Sequence, residues 1–391
     1  MGIKTVAEIN KYQSVSINPM EHPNQIYELY SVPSFDNQYP EIIKGSEIGS
    51  SKITVEEGDV LVCKINPRIN RVWVVEHHTK YPLLASSEWI VVRNGEIESN
   101  YLKWYFSSPP FRNMLTSQVA GIGGSLTRAQ PKQVAKYPVP IPARSVQQDI
   151  VCYLDKISDL ISLRKQQLAK LDELVKARFV ELFGDPVINP KGYLVKPLQE
   201  LIDMGYITYH LDGNHGGDYP RSEEFVDSGV PYIGANSIVN GEIDFSMAKY
   251  LTEERAGKLR KGIAQNEDVL FAHNATVGPT VVLKTTEPKV ILSTSLTAYR
   301  CNKSNLLPNY LKAYMQSDGF VRQYSGEMKQ TTRNQVPITA QKKYLFIVPP
   351  IVEQERFAAF VEQTDKSKLA VQQSLDNLEL LKKSLMQKYF G

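Results

Sequence analysis

The chain has 391 residues, of which 42% are hydrophobic, 9% aromatic and 22% charged; this ordinary globular composition excludes disordered, collagen-like and disulfide-framework classes. Lysine plus arginine number 45 against 42 for aspartate plus glutamate, a balance too mild for a histone-like basic protein, so a nucleic-acid partner would have to be met through local patches. At roughly 100–200 residues per domain, the length predicts two or three domains with cores of their own.

The opening Met1-Gly2-Ile3-Lys4-Thr5 carries no apolar core of signal-peptide length, and no window approaches 18 uninterrupted apolar residues, so no membrane span is expected. Extended, β-rich runs are predicted at Asp59–Ile65, Val72–Val75 and Trp89–Val92, followed by a short helix at Tyr101–Phe106. Cys63, Cys152 and Cys301 are odd in number and far apart, with no Cys-x-x-Cys pair; this argues against a zinc knuckle and for a reducing, cytoplasmic setting.

From Ser145 onward the pattern changes to a long helix. Apolar residues fall at Leu154, Ile157, Ile161, Leu168, Leu171, Val175 and Leu182, a spacing near 3.5 residues that reads as a coiled-coil seam. Pro140 and Pro142 mark its entry, Ser145-x-x-Gln148 resembles a capping box, and Gly184-Asp185-Pro186 ends it. Beyond it, Leu211–Pro220 reads as an exposed glycine-rich loop, strands are predicted at Val230–Ile233, Val269–Ala272, Thr280–Leu283 and Tyr344–Val348, and a short helix at Tyr310–Met315. After Pro349-Pro350 a second helical stripe runs through Val361, Thr364, Val371, Leu375, Leu378, Leu381 and Leu385. At about 38 residues each, these helices would be roughly 57 Å long. One such helix buries little alone, but two matching seams can bury each other.

The second half repeats the first. Gly58-Asp59-Val60-Leu61 recurs as Glu267-Asp268-Val269-Leu270, and Tyr101-Leu102-Lys103 recurs as Tyr310-Leu311-Lys312, both at an offset of 209. After a two-residue slip the offset is 207: Gln147 meets Gln354, Leu168 meets Leu375, and Phe183-Gly184 meets Phe390-Gly391. The order is therefore globular unit, long helix, globular unit, long helix, with boundaries expected at 1–142, 143–184, 185–350 and 351–391.

Several segments invite a chemical reading. Ser108-Pro109-Pro110-Phe111 could be the short loop with which an amino-methyltransferase holds a flipped base, or simply a Pro-Pro turn. The repeat places Ser317-Asp318-Gly319-Phe320 there, and no glycine-rich cofactor loop is visible upstream, which favours the turn. Gly121-Ile122-Gly123-Gly124-Ser125 lacks the Lys-Ser/Thr of a P-loop. Asp59 and Asp268 read as strand-entry turn residues, because metal-assisted hydrolysis needs clustered carboxylates. The six histidines form no metal constellation, so neither a metal nor a cofactor is expected.

Donor-rich turns fit a DNA backbone and base edges better. Lys64, Arg68, Asn70 and Arg71 follow one strand; Thr127, Arg128 and Lys132 precede the first long helix. The counterparts are His273, Asn274 and Thr276, and Lys329, Gln330, Thr332, Arg333 and Asn334. Solvated polar loops would look the same at this level.

The duplicated layout resembles the specificity subunit of type I restriction-modification enzymes over essentially the whole chain. The resemblance rests on Pro140-Ile141-Pro142 with Gln147-Gln148, on Pro349-Pro350-Ile351-Val352-Glu353-Gln354, on the Phe-Gly that ends each helix, on Gly58-Asp59-Val60-Leu61 with Lys64-Ile65-Asn66-Pro67-Arg68, and on Val230-Pro231-Tyr232-Ile233. Ala143-Arg144-Ser145 departs from the family's usual helix entry. The resemblance implies an α/β fold: two mixed α/β target-recognition domains separated by two long conserved helices that form an antiparallel coiled coil, with a pseudo-two-fold internal repeat. It implies double-stranded DNA with a bipartite site as ligand, methyltransferase and restriction subunits as partners, and no catalysis by this chain. The competing readings are an amino-methyltransferase-like enzyme and a protein-only coiled-coil scaffold.

Overall fold

A computed structural model describes residues 2–117, 119–120, 127–328 and 334–391. The chain forms two compact units, Met1–Gln166 with Gln372–Gly391, and Gln167–Val371. Neither unit is a continuous stretch plus one whole helix. Each long helix is divided between the two.

In the first unit, the strand Val60–Cys63 is buried along its whole length and pairs antiparallel with both Val72–Val74 and Trp89–Val92. A fully apolar tetrad, Val60-Leu61-Val62-Cys63, suits a central strand covered on both faces. A five-stranded sheet runs Ser16–Ile17, Lys52–Thr54, Leu83–Ala85, Ile26–Tyr30, Glu41–Lys44, antiparallel except where Ile26–Tyr30 and Leu83–Ala85 run parallel. The helix Ser99–Phe106 packs Tyr101, Leu102, Trp104, Tyr105 and Phe106 inward. Its successor, Pro109–Ser117, begins at the Pro-Pro pair. Proline fits the first turn of a helix, where its missing N–H has no partner to lose. Ser108 is fully buried, so this loop presents no hydroxyl to a substrate.

The second unit repeats the plan with its own strands. Val269–Ala272 is again wholly buried, between Thr280–Val282 and Leu296–Cys301, and Ile207–Asp212 extends that sheet. Val230–Ile233 pairs parallel with Val290–Leu292, as Ile26–Tyr30 does with Leu83–Ala85. The two helices Pro308–Met315 and Asp318–Met328 match Ser99–Phe106 and Pro109–Ser117. The segment expected as an exposed loop, 211–220, instead starts as the end of the strand Ile207–Asp212, and Gly213 and Asn214 are buried. A Cβ on Gly213 would lie 2.2 Å from the Ser293 backbone, which explains the glycine by close approach rather than by exposure.

The long helices are Arg144–Phe183 and Ile351–Phe390. The first starts at Arg144, so Ser145 lies inside its first turn rather than capping it. Within the first unit, Arg164 donates to Ser374 at 3.2 Å, Lys165 pairs with Glu379 at 2.9 Å, and Ile150 and Leu154 share a core with Met386 and Phe390. Within the second, Asp172 pairs with Lys368 at 2.6 Å, and Phe179 and Phe183 flank Phe357. Residue numbers rise on one helix as they fall on the other, so the pairing is antiparallel.

Most of the expected seam residues lie in or beside this contact. Leu154, Ile157, Val361, Val371 and Leu375 are buried; Ile161, Leu168, Leu171, Val175, Leu378 and Leu385 are half-buried. Leu381 is a correction, being 47% exposed. One turn beyond Leu378 the inward position at 3.6 residues per turn belongs to Lys382, whose ammonium sits 4.9 Å from the Trp104 ring. Among the described residues no helix is long and apolar enough to cross a membrane.

Candidate nucleic-acid interface

Each central strand runs out of the core into a donor-bearing turn, and a second segment is bonded to that turn. In the first unit, Ile65 bridges Arg128, the Asn66 N–H donates to the Thr127 carbonyl at 3.0 Å, and the Ala129 N–H donates to the Lys64 carbonyl at 2.9 Å. In the second unit, Asn274 bridges Gln335, the Ala275 N–H donates to the Asn334 carbonyl at 3.0 Å, and the Val336 N–H donates to the His273 carbonyl at 2.8 Å. These pairs are related by the same offsets of 209 and 207 read from the sequence. Two segments about 60 residues apart in sequence are thus joined in each unit through the same two backbone hydrogen bonds, which make up the bridge.

The turn geometry is also repeated. Asn66 and Ala275 occupy the same position and both have left-handed backbones, with φ of 48° and 65°. Asparagine tolerates this region; alanine does so at a cost. Asn70, also left-handed at φ 50°, donates its side-chain amide to the Phe106 carbonyl at 3.1 Å, which pins the far end of the turn to the helix Ser99–Phe106.

The side chains divide into outward and inward sets. Arg68, Arg128, Lys132, Thr276 and Asn334 are exposed; Lys64, Asn70, Arg71 and Asn274 are half-buried. Arg128 is held by Glu88 at 3.1 Å, and the Arg71 Nε lies 3.7 Å from the Asp36 carboxylate. Arginine can exchange a surface carboxylate for a phosphate or a guanine edge, so the pair with Glu88 leaves Arg128 available, whereas Arg71 is largely enclosed. Thr127 and His273 point inward instead. Thr127 contributes its carbonyl to the junction, and His273 is 1% exposed with Nδ1 2.9 Å from the Thr297 hydroxyl. The strand register places His273 one residue beyond Ala272, still beneath the turn, where no groove could reach it. Lys329, Gln330, Thr332 and Arg333 lie outside the described residues, as does the segment 121–126.

Two features beneath the junctions were not legible as such. Asp59 does close a turn, accepting the Glu56 N–H, but its carboxylate is also gripped by Arg93 through two bonds of 2.7 and 2.8 Å. Asp268 repeats this with the Gln265 N–H and Arg300, both guanidinium bonds being 2.8 Å. The recurring aspartate was the available signal. Among the described residues, a buried polar chain with no counterpart in the first unit links His210, Gln341, Tyr299, Thr297 and His273. Burial pushes the His210 imidazole down to about 4, and it lowers His273 as well. Both are neutral at physiological pH. Among the described residues no group of three or more His, Cys, Asp or Glu side chains could hold a metal ion.

The arrangement offers exposed cations and amides on rigidly joined turns. Among the described residues it assembles no nucleophile with an adjacent base, and it suits contact with a polyanion. The family profile for the type I restriction modification DNA specificity domain matches residues 1–173 and 191–380, one match for each half of the repeat. Among solved structures, a chain from a study of complex assembly and conformational transition of the type I R-M system is similar at a TM-score of 0.59 and 18% identity, covering 100% of this chain and 97% of that one. The S subunit of a type I restriction-modification system from M. genitalium is similar at a TM-score of 0.59 and 11% identity, covering 100% of this chain and 96% of that one. The structural likeness shows the shared fold, and the profile, matched over most of the chain, shows the family: this chain belongs to the type I restriction modification DNA specificity family, whose members are the non-catalytic, DNA-recognising subunits of type I restriction-modification complexes.

Proposed function

We propose that the chain reads a bipartite DNA site, one half-site per unit, through the turn 64–71 with the segment 127–132, and through the turn 273–276 with Asn334; Lys329, Gln330, Thr332 and Arg333, outside the described residues, belong to the same proposed contact set. The observation that carries this is the matched junction: Ile65 with Arg128 in one unit, Asn274 with Gln335 in the other. Segments chosen on sequence grounds for their donors lie side by side twice, with exposed Arg68, Arg128, Lys132, Thr276 and Asn334 around them. Arginine to guanine and asparagine to adenine are the pairings these side chains favour. The paired helices set the gap between half-sites and dock the methyltransferase and restriction subunits, in a cytoplasmic complex.

The test is a map of methylated bases in the host genome with the gene intact, deleted, or carrying substitutions in a single unit. Arg68→Ala with Arg128→Ala should change one half of a gapped motif, and Asn274→Ala with Asn334→Ala the other. A contiguous motif, or substitutions in one unit altering both halves together, would remove the two-unit reading.

A further inference from the structure

The two units build the layer beneath their junctions from opposite materials. In the first unit, Ile90, Val92 and Val134 belong to the apolar core. Strand register equates Leu61 paired with Val91 to Leu270 paired with Ala298, so Thr297 and Tyr299 stand where Ile90 and Val92 do. Gln341 ends the short helix Ile338–Gln341 at the position where Val134 ends Pro131–Val134. The fold therefore accepts an apolar layer here, and the second unit has a polar one.

That polar layer is closely bonded. The Gln341 carbonyl oxygen accepts from the Tyr299 hydroxyl at 2.6 Å and lies 3.1 Å from His210 Nε2. Its amide donates to the Thr297 hydroxyl at 3.2 Å and to the Val336 carbonyl at 3.1 Å; Thr297 in turn meets His273 Nδ1 at 2.9 Å. Gln341, Thr297 and Tyr299 have no exposed surface. Val336 is thereby clamped on both sides, its N–H by His273 and its carbonyl by Gln341. The counterpart of Val336 is Ala129, whose N–H makes the equivalent bond to Lys64, while Val134 has no amide to hold its carbonyl. Directional bonds among buried groups fix one arrangement where apolar packing tolerates several, although His210 Nδ1 has no partner in it.

We infer that Gln341, acting through Thr297, His273 and Val336, is a positioning residue that sets how the second unit's turn and the segment 334–336 meet their half-site. This rests on the reading of those segments as the DNA interface. The network does not touch DNA; it determines where the groups that do so are held. Losing it should loosen base preference in one half of the motif without melting the unit, since the first unit folds with an apolar layer.

The test uses the full chain assembled with its methyltransferase subunits, with methylated sites mapped in the host genome and binding measured on duplexes carrying the motif so found. Thr297→Val removes the hydroxyl between Gln341 and His273 at nearly constant shape, and Thr297→Ser restores it; Gln341→Met removes the whole hub. The expected result for Thr297→Val and Gln341→Met is about a tenfold loss of discrimination at one half-site. The other half-site is unchanged, the thermal transition is retained, and Thr297→Ser behaves as the parent. A purely structural network would instead lower methylation at all sites with base preference intact, and that outcome overturns the inference. Should Gln341→Met fail to fold, the Thr297 pair decides. Asn274→Ala and Asn334→Ala separate the two levels: if they alter a half-site and Thr297→Val does not, the positioning role alone is wrong. If they alter nothing, the interface reading fails and the inference falls with it.

Discussion

Gln147 and Gln354, 207 residues apart, make the same latch. The Gln147 side chain accepts the Glu98 N–H at 3.0 Å and donates to the Pro142 carbonyl at 2.9 Å; Gln354 accepts the Leu307 N–H at 2.9 Å and donates to the Pro349 carbonyl at 2.8 Å. Each therefore ties the first turn of a long helix to the residue that enters the short helix of its own globular unit. Gln354 adds a bond to the Asn305 carbonyl and has no exposed surface.

Replacing either glutamine by leucine strands a buried N–H and a carbonyl at once. The expected cost is about 1–3 kcal/mol per latch, larger for Gln354 than for Gln147 because it makes the additional bond. Urea melts followed by circular dichroism would check it; equal, negligible costs would mean the latch is incidental.

Gly58 and Glu267 hold one repeated position, and both have left-handed backbones, at φ 86° and 70°. Glycine adopts this conformation freely, whereas a residue with a Cβ pays roughly 1 kcal/mol or more. Glu267→Gly should raise stability by about 0.5–1 kcal/mol despite the loss of the exposed ion pair with Lys303. Gly58→Ala should lower it by about 1 kcal/mol, since its Cβ would meet only the Ser99 hydroxyl at 3.5 Å. A melting comparison of the two variants reads the signs directly.

Acid should weaken the second unit first. His210 sits near 4, below its ordinary 6.5, with Lys342 and His273 disfavouring its charge and Asp212 favouring it; His273, with Asp212 and His215 facing it, is lowered too. A depressed histidine contributes stability in full above the unfolded value near 6.5. That stability is lost progressively as pH falls from there towards the folded value, at up to about 1.4 kcal/mol per pH unit per group. Melts between pH 7 and pH 4.5 should show this slope, and His210→Gln should flatten it; a slope unaltered by that substitution would sink the assignment.

On DNA, the charged contacts should be separable. Arg68→Ala and Arg128→Ala should each lower the salt dependence of binding by about one unit if the side chain meets a phosphate. Arg71→Ala should do less, because that side chain is largely enclosed beside Asp36. Filter binding from 50 to 300 mM salt, on the motif found by methylation mapping, provides the slopes. Slopes identical to the parent for all three would exclude these turns as the contact surface.

How much of this was written in the sequence depends on the periodicity available. The helices were visible because two seven-residue seams, apolar but for Thr364, repeat at nearly 3.5; their ends moved by only a few residues in the structure. Leu381 was misread because a single polar Lys382, stacked on Trp104, takes the inward place, and hydrophobicity alone cannot reveal a cation–π contact. Strands such as Trp89–Val92 and Val269–Ala272 were read with their true bounds, being apolar and β-branched. Ile26–Tyr30 was not, since Glu28 interrupts it; that carboxylate is buried, accepting the N–H groups of His78 and Thr79. The site turns were found through their donors and their repetition. The Gln341 network was invisible because its members come from four separated segments and have no counterpart in the other half to mark them.

On the proposed two-unit reading, the gap between half-sites should follow helix length. Adding four residues, about one turn, to both long helices should lengthen the recognised gap by about 6 Å, near two base pairs, with the half-site sequences unchanged. Altered half-sites with an unchanged gap in the methylation map would contradict the spacer role.

The division of the long helices has a consequence for the order in which the protein can be completed during synthesis. The first unit contains Met386 and Phe390 in its core, with Phe390 lying 5.8 Å from both Tyr101 and Tyr105. The second unit closes within residues 167–371. At about 5–20 residues per second, the half made first must wait tens of seconds for its last helix, while the half made second can finish before it. During that interval the aromatic surface of Tyr101 and Tyr105 stands uncovered on the ribosome-bound chain, so residues 372–391 act as the closing step for a unit begun more than 200 residues earlier. Pulse-proteolysis of the released chain truncated after residue 371 should therefore cut the N-terminal unit and spare the one that follows it.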